Sequence, residues 1–266
     1  MEDESKGNPF VEYVRSDVLF SLQQFRTGSG AERSFLIMSQ IMELLFKLAY
    51  DESVRARELL DTDDIAGALW NLRRLRHVYA MLSGAWDVLS AMSPAEYGEF
   101  REQLGEGSGF QSYMYRHMEF SLGNKNPAMA GMHGGDERTY RELRRTLAEP
   151  SLYDAVLRLL RRRGLPVPDA CVERDWSEPY EEQDAVVEIW RTVYSERDNY
   201  GDLHRLAEAL VDLAHDFARW RSLHLLTVER LIGAKTGTGG TSGASWLRRV
   251  SEHRFFPELW SVRSTL

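Results

Sequence analysis

The stretch LHRLAEALVDLAHDFARWRSLHLLTVERLI, residues 203–232, decides the fold. Its apolar positions recur at alternating steps of three and four residues, which is typical of a helix with one face packed into a protein interior. The positions on this face are Leu203, Leu206, Leu210, Leu213, Phe217, Trp220, His224 and Thr227. The stretch therefore predicts a long buried helix in which a histidine fills one position of the core face.

His224 stands where an apolar side chain is expected. An unpaired polar group in a core costs about 1–3 kcal/mol, so the imidazole needs a partner. The helix pattern leaves two interpretations open: a core histidine hydrogen-bonded to a carbonyl, or an axial ligand of haem iron. The segment GTGGTSG, residues 237–243, follows the helix, and its composition predicts a mobile polar loop beside this site.

Helical periodicity continues through most of the chain. Further helices are predicted at residues 14–25, 32–50, 63–92, 109–122, 137–147, 151–163 and 183–197. The sequence SPAE at 93–96 is a capping box with proline at the first helical position, so a short helix is expected to begin there. Strand-like alternation is almost absent, which predicts an all-α bundle of about ten or more helices. We expect one domain over residues 1–266, with a flexible acidic tail at 1–9.

Length and charge narrow the function classes. The 266 residues are 43% hydrophobic and carry a formal net charge of −8, which predicts one substantial core and argues against nucleic-acid or anionic-membrane partners. No stretch approaches the roughly 18 apolar residues of a membrane span, and the N-terminus lacks the regions of a signal peptide. A cytoplasmic protein is expected. The single cysteine excludes an intrachain disulfide and a cysteine-rich zinc site.

Two pairs of residues four apart are candidates for binding a ligand. Tyr97 and Arg101 share one face of the short capped helix, and a guanidinium beside a phenol suits a carboxylate if that face points inward. The alternative is a solvated surface arginine. Phe35 and Ser39 share a face of a strongly apolar helix, where a serine commonly bonds back to its own helix.

Several long segments resemble tryptophan 2,3-dioxygenases, and the chain is identified as a member of that family. The segments are FLIMSQIMELLFK at 35–47, WDVLSAMSPAEYGEFR at 86–101, SGFQSYMYR at 108–116, EF at 119–120, GNKNP at 123–127, WRSLH at 220–224, TVERLIG at 227–233, KTGTGGTSG at 235–243 and FFPELW at 255–260. The likeness runs from Phe10 to the end of the chain.

The resemblance implies a haem protein assembled from several subunits. We expect an all-α homotetramer with one haem b per subunit, His224 as the axial ligand of the iron, and Trp86 and Ser108 in the cofactor site. Phe10 and Tyr13 match two aromatic residues that a neighbouring subunit lends to the pocket in this family.

The resemblance also implies where an amino acid binds. Tyr97, Arg101 and Thr238 fall at the family's positions for the carboxylate and ammonium of the substrate, and Phe35 falls beside the indole. Ser39 departs from the family pattern, since bacterial and animal tryptophan 2,3-dioxygenases have a histidine there that bonds the indole N–H. The smaller side chain leaves room in the distal pocket, so a substituted tryptophan is a candidate substrate.

The function implied is an enzyme, a haem-dependent oxygenase that uses O2 on the indole C2=C3 bond of L-tryptophan or a substituted (for example methylated) tryptophan. Dioxygenation would give an N-formylkynurenine. Two alternatives stay open: insertion of one oxygen atom to give a 2-oxindole or hydroxyindole in natural-product biosynthesis, and a haem-binding sensor without turnover. The retained positions for a substrate carboxylate favour an enzyme.

Overall fold

The computed structural model describes residues 8–238 and 243–266, and within these ranges it contains helices and no β-strand. The α-helices are α1 (Pro9–Val14), α2 (Ser16–Leu19), α3 (Gly30–Asp61), α4 (Ile65–Ser90), α5 (Pro94–Arg101), α6 (Tyr113–Leu122), α7 (Pro127–Gly131), α8 (Glu137–Ala148), α9 (Leu152–Arg162), α10 (Asp169–Val172), α11 (Asp184–Ser195), α12 (Arg197–Ile232), α13 (Ala244–Val250) and α14 (Pro257–Ser261). Short 3₁₀ helices span Glu102–Leu104, Gly109–Gln111 and Val262–Ser264. The prediction of an all-α bundle is confirmed.

Three long helices form the centre of the structure. α4 packs along both α3 and α12, and α6 and α9 pack against α3. The chain reverses between α3 and α4 in a tight turn, where Asp63 takes a positive φ of 64° and the carboxylate of Asp64 accepts a hydrogen bond from the N–H of Gly67 at 2.8 Å. This helix hairpin carries two of the predicted site residues on α3 and one on α4.

The predicted core face of α12 lies in the interior. Every position of that face is buried except His224, which is partly exposed. Burying a large apolar side chain contributes about 1.5–3 kcal/mol, so this row anchors the helix. The backbone leaves helical geometry at Tyr200 (φ −124°, ψ 30°), which is why the regular pattern begins only at Leu203.

The short capped helix is also confirmed. Ser93 Oγ accepts a hydrogen bond from the N–H of Glu96 at 3.2 Å, and the Glu96 carboxylate accepts one from the N–H of Ser93 at 2.7 Å. This reciprocal pair begins α5 with Pro94 at its first position.

The helix predicted at residues 14–25 is wrong. Arg15 adopts a left-handed conformation (φ 54°) that ends α1, and α2 ends at Leu19. Side-chain amides then take the place of a continuing helix: Gln23 donates to the carbonyl of Leu19 at 3.0 Å, and Gln40 donates to that of Leu22 at 3.1 Å.

The helix predicted at 109–122 is broken once. Ser112 is extended (φ −66°, ψ 113°), and its hydroxyl accepts a hydrogen bond from the N–H of Tyr115 at 3.0 Å to start α6. The shorter segments α7, α10, α13 and α14 have no counterpart among the predicted helices.

Two predicted flexible segments lie partly outside the described residues. In the acidic tail, residues 1–7 lie outside the described residues, whereas Asn8 caps α1 and Pro9 begins this helix. In the glycine-rich loop, residues 239–242 lie outside the described residues. In the ranges that the structure describes, no helix is both long enough and apolar enough to cross a bilayer.

Candidate functional site

His224 stacks on an indole at the centre of the candidate site. The rings of His224 and Trp86 are parallel within 8°, with centroids 4.3 Å apart. Trp220, one turn earlier on α12, lies with its ring centroid 6.3 Å from His224 and 6.2 Å from Trp86. Trp86 Nε1 is buried without a hydrogen-bond partner. The structure therefore brings the predicted iron ligand together with one of the two residues predicted to line the cofactor.

The imidazole of His224 is neutral at physiological pH. Burial, and then the nearby positive charge of Arg221, lower the pKa of His224 to about 4. Among residues 8–238 and 243–266, no side chain or carbonyl makes a hydrogen bond to either of its nitrogens. The interpretation as a core histidine bonded to a carbonyl is thus not observed there. A neutral imidazole with a free lone pair has the chemistry of a metal ligand.

Aromatic rings from α3 and α5 form a second part of the site. The ring centroid of Phe35 lies 6.2 Å from that of Tyr97 and 5.3 Å from that of Phe100. Phe100 is buried and lies 5.3 Å from Tyr97 in an edge-to-face contact. Planar apolar surfaces at these angles suit an aromatic ligand.

Ser39 lies one turn after Phe35 on α3. Its hydroxyl donates to the carbonyl of Phe35 at 2.8 Å, so the bond back to its own helix, which the sequence left open, is present. The side chain is partly buried. Its oxygen keeps lone pairs that can accept a hydrogen bond from a neighbouring N–H.

Arg101 connects α5 to the segment that follows α12. Its Nη2 donates to the carbonyl of Thr236 at 2.6 Å, while its Nε is buried and has no partner. Burial raises the pKa of Tyr97, and the nearby positive charge of Arg101 opposes that rise. Thr238 Oγ1 donates to the carbonyl of Gly107 at 2.7 Å. The residues predicted to bind the carboxylate and ammonium of the substrate therefore lie on α5 and on the segment after α12, which Arg101 holds to α5. Thr236 also takes part in this contact, and the sequence did not indicate it.

Ser108 caps the 3₁₀ helix Gly109–Gln111. Its hydroxyl accepts from the N–H of Phe110 at 3.3 Å, and the side chain of Gln111 accepts from the N–H of Ser108 at 3.2 Å. These bonds give Ser108 a structural role, and its place in a cofactor site stays a prediction.

Phe10 and Tyr13 are not brought to the other site residues. Their side chains are 68% and 90% exposed on α1. The backbone N–H of Phe10 donates to Asn8 Oδ1 at 3.0 Å, but neither aromatic ring contacts another ring among the residues that the structure describes. In one chain, therefore, two of the predicted site residues project outward.

A buried ionic cluster beside His224 was missed by the sequence reasoning. Arg116, Glu119 and Arg221 are all at most 5% exposed, and both guanidiniums donate to the Glu119 carboxylate. The available signal was Arg221, a charged residue three positions before His224 and next to the core position Trp220. The spacing of apolar residues cannot reveal such an ionic cluster, because charged side chains are buried where tertiary packing brings oppositely charged partners to them.

The residues around His224 fit a haem. The neutral imidazole supplies a nitrogen ligand, and the Trp86 indole supplies a flat apolar wall. On α5, the buried Nε of Arg101 is a donor without a protein acceptor, which suits a polar group of a substrate and not the haem. Metal sites built from clusters of His, Cys, Asp and Glu are absent from the described ranges.

Comparison with known proteins gives a match along the whole chain. A sequence model of the family described as "Tryptophan 2,3-dioxygenase" matches residues 1–141 and 135–266. Relatives with that name include proteins from Polaromonas sp. and Bradyrhizobium diazoefficiens, each 43% identical over 99% of this chain and covering 90% and 95% of the relative. A third, from Exiguobacterium sibiricum, is 41% identical over 99% of this chain and 95% of its own length.

The resemblance in the sequence, the helical fold and these matches agree. Identities above 40% over almost the entire length leave no segment of the fold unaccounted for. The chain belongs to the tryptophan 2,3-dioxygenase family.

Proposed function

We propose that this protein is a haem-dependent dioxygenase that opens the indole ring of L-tryptophan with O2 to give N-formylkynurenine. The observation that carries the proposal is the neutral His224 imidazole stacked on Trp86. The relatives named tryptophan 2,3-dioxygenase support the same reaction. None of the relatives reported above is named for single-oxygen insertion or for sensing, so those two alternatives gain no support.

In this proposal His224 would hold the iron, and Trp86 and Ser108 would line the haem site. When bound, haem supplies the iron that activates O2, which no side chain can do alone. The protein contributes by keeping His224 unprotonated, since a protonated imidazole has no lone pair to donate. Burial of the site also excludes water from the reacting groups.

Substrate recognition is proposed for α3 and α5. Phe35 and Tyr97 offer aromatic surface to the indole, while Arg101, helped by Tyr97 and Thr238, takes the carboxylate and ammonium. In the structure the Arg101 guanidinium donates to the carbonyl of Thr236. A substrate carboxylate is a stronger acceptor than a neutral carbonyl, because hydrogen bonds between two charged groups are stronger than those to a neutral one. Placement of the ring in this way is worth several powers of ten in rate.

Ser39 is proposed to orient the indole in the distal pocket. The serine hydroxyl can accept a hydrogen bond from the indole N–H while it donates to Phe35. A neutral hydroxyl is not ionised near pH 7 and is a poor base, so we assign it to orientation. The small side chain is also compatible with a substituent on the indole, and substituted tryptophans belong to the substrates to be tested.

We also propose that the active protein is a homotetramer in which Phe10 and Tyr13 complete the pocket of a neighbouring copy. Support comes from their exposure in the single chain, where two large aromatic side chains contact no other site residue. Tyr13→Ala should weaken tryptophan binding at unchanged haem content. The matched control is Phe20→Ala, since Phe20 is 76% exposed in the same region.

The proposed reaction is tested with purified protein reconstituted with haem. We expect a Soret band, O2 consumption that depends on L-tryptophan, and the near-ultraviolet absorption of N-formylkynurenine. His224→Ala should lose the haem or change its spectrum and abolish turnover. A parent protein without haem binding, or a His224→Ala protein with unchanged haem and activity, would overturn the assignment.

A further inference from the structure

The cluster of Arg116, Glu119 and Arg221 connects α6 to α12 through side-chain hydrogen bonds. Glu119 accepts hydrogen bonds from both guanidiniums and from the Tyr115 hydroxyl at 2.9 Å. Asn124 donates to the same carboxylate at 2.9 Å. Burial acts to raise the pKa of Glu119, but the two arginines outweigh it and the pKa lies below its ordinary value. The carboxylate is therefore charged, and two cations share it.

Arg221 is the centre of this cluster. Its Nε and Nη2 donate to the Tyr115 hydroxyl at 3.2 and 3.0 Å, and its Nη1 donates to the carbonyl of Val250 at 2.5 Å. Together with the bond to Glu119, these contacts tie α12 to α6 and to the end of α13. Each of the three guanidinium nitrogens thus donates to a fixed acceptor on one of two other elements.

His224 is three residues after Arg221, so both side chains lie on the same part of the helix surface. Tyr115 also packs on Trp220, with ring centroids 5.5 Å apart, and Trp220 in turn contacts the His224 ring. Rotation or sliding of α12 at His224 would break several directional bonds at once. Apolar side chains could fill the same space but would not resist rotation in this way.

Stability alone does not explain buried charges at this position. Replacing a buried ion pair by apolar residues of similar volume is often neutral or stabilising, and the best-supported use of such groups is to fix register. Here the register that is fixed is that of the helix turn carrying His224.

We infer that Tyr115 and Glu119 are positioning residues for His224, acting through Arg221 to set the angle at which the imidazole meets the iron. The inference rests on the proposed function, because it takes His224 as the iron ligand. The groups involved touch neither substrate nor iron in this arrangement, so their effect passes entirely through the helix.

The test compares two substitutions that each delete one tyrosine hydroxyl from a buried carboxylate. Tyr115→Phe removes the bond to Glu119 and an acceptor of Arg221. Tyr180→Phe is the matched control, because Tyr180 donates to the buried Glu258 at 2.5 Å in another part of the core. Both holoproteins are measured by denaturant unfolding, by the iron–histidine stretching band of the ferrous form, and by the rate of haem transfer to apomyoglobin.

We expect both variants to unfold at lower denaturant concentration than the parent. Only Tyr115→Phe should shift the iron–histidine band, and it should release haem about tenfold faster, the factor that corresponds to one hydrogen bond to a charged group. Glu119→Gln should act in the same direction with a larger effect. If Glu119→Gln does not fold, Tyr115→Phe decides the question.

The inference is overturned if Tyr115→Phe leaves the band and the haem release rate at the parent values, or if Tyr180→Phe changes them equally. Failure of the proposed function would look different, since the parent itself would then show no iron–histidine band.

Discussion

Two histidines of this chain, the buried His117 and the partly exposed His224, show how surroundings decide what a side chain does. The Nδ1 of His117 lies 2.8 Å from the hydroxyl of Thr146, so one ring nitrogen is satisfied inside the protein. His224 has a lowered pKa of about 4 and no such bond among the described residues. The first is a core histidine and the second has a nitrogen free for a ligand, although both stand on helices beside apolar neighbours.

Arg101→Ala should weaken L-tryptophan binding by about tenfold to a few hundredfold, because a charge-assisted hydrogen bond contributes roughly 1.5–3 kcal/mol. The measurement is the dissociation constant of tryptophan and of tryptamine, which lacks the carboxylate, for the parent and the variant. Tryptamine affinity should change little. Arg141→Ala is the control, since Arg141 is an exposed helix arginine paired with Glu137. Equal losses for both ligands would contradict the carboxylate role.

Ser39→Ala should lower the turnover rate by less than about tenfold, because a neutral hydrogen bond contributes roughly 0.5–1.5 kcal/mol. The variant loses the proposed hydrogen bond from the indole N–H, and it also loses the bond to the carbonyl of Phe35 that the structure contains. Steady-state rates with tryptophan and methylated tryptophans check this, with the exposed Ser34→Ala as control. Loss of turnover with every substrate at full haem content would show that the hydroxyl takes part in the chemistry.

At the scale of elements, a buried lysine caps the C-terminus of α8. Lys125 Nζ donates to the carbonyls of Thr146, Leu147 and Glu149 at 3.0, 2.9 and 2.7 Å, at the C-terminus of α8. Burial lowers the pKa of Lys125 to about 7, so its main contribution is to donate hydrogen bonds to carbonyls that have no partner in the helix. The side chain comes from the loop after α6, so it also holds α6 and α8 together.

Lys125→Met should reduce the free energy of unfolding by about 2–4 kcal/mol, because it leaves several carbonyls buried without donors. Denaturant titration measures the change. Lys47→Met supplies the control, since Lys47 is exposed and paired with Asp51 in a surface ion pair, and such pairs contribute about 0–1 kcal/mol. Equal stability of the two variants would show that the carbonyls find other donors.

How closely each helix can be predicted depends on how strong its sequence pattern is. α4 and α12 were predicted closely because their apolar rows are long and regular, and α5 because Ser93 and Glu96 form a recognisable capping box. The region 14–25 failed because one left-handed residue, Arg15, and two glutamine side chains replace helical hydrogen bonds there. Neither feature has a periodic signal.

At the scale of the whole molecule, the candidate site joins residues from α3, α4, α5 and α12. Sequence patterns placed Phe35, Trp86, Tyr97 and His224 on their helices, and the family resemblance gave their roles. The contact of Arg101 with Thr236 and the cluster around Glu119 depend on how distant elements meet. Such contacts are set by tertiary packing, which no local pattern specifies.

Histidines with a lowered pKa contribute to the acid sensitivity of the whole protein, and His253 is one of them. Burial, and then the charge of Arg221, lower the pKa of His253 to about 4, against about 6.5 in an unfolded chain. Between these pH values the unfolded chain binds a proton that the folded one does not. The free energy of unfolding should therefore fall as the pH drops from about 6.5 to about 4, by about 1.4 kcal/mol per pH unit for this histidine.

His253→Gln should remove that part of the pH dependence. Urea unfolding of the parent and the variant at a series of pH values measures it, and His77→Gln is the control because His77 is exposed. We expect the variant to lose less stability than the parent in acid and to match its pH dependence above neutrality. Parallel curves for parent and variant would contradict the assignment.

The most direct test of the central claim is to follow the oxygen atoms. The haem-loaded protein is supplied with L-tryptophan and O2 made of a heavy isotope, and the product is examined by mass spectrometry. We expect N-formylkynurenine that carries two heavy oxygen atoms, both from one O2 molecule. A product with a single heavy atom, or haem-bound protein that leaves tryptophan unchanged, would contradict this expectation.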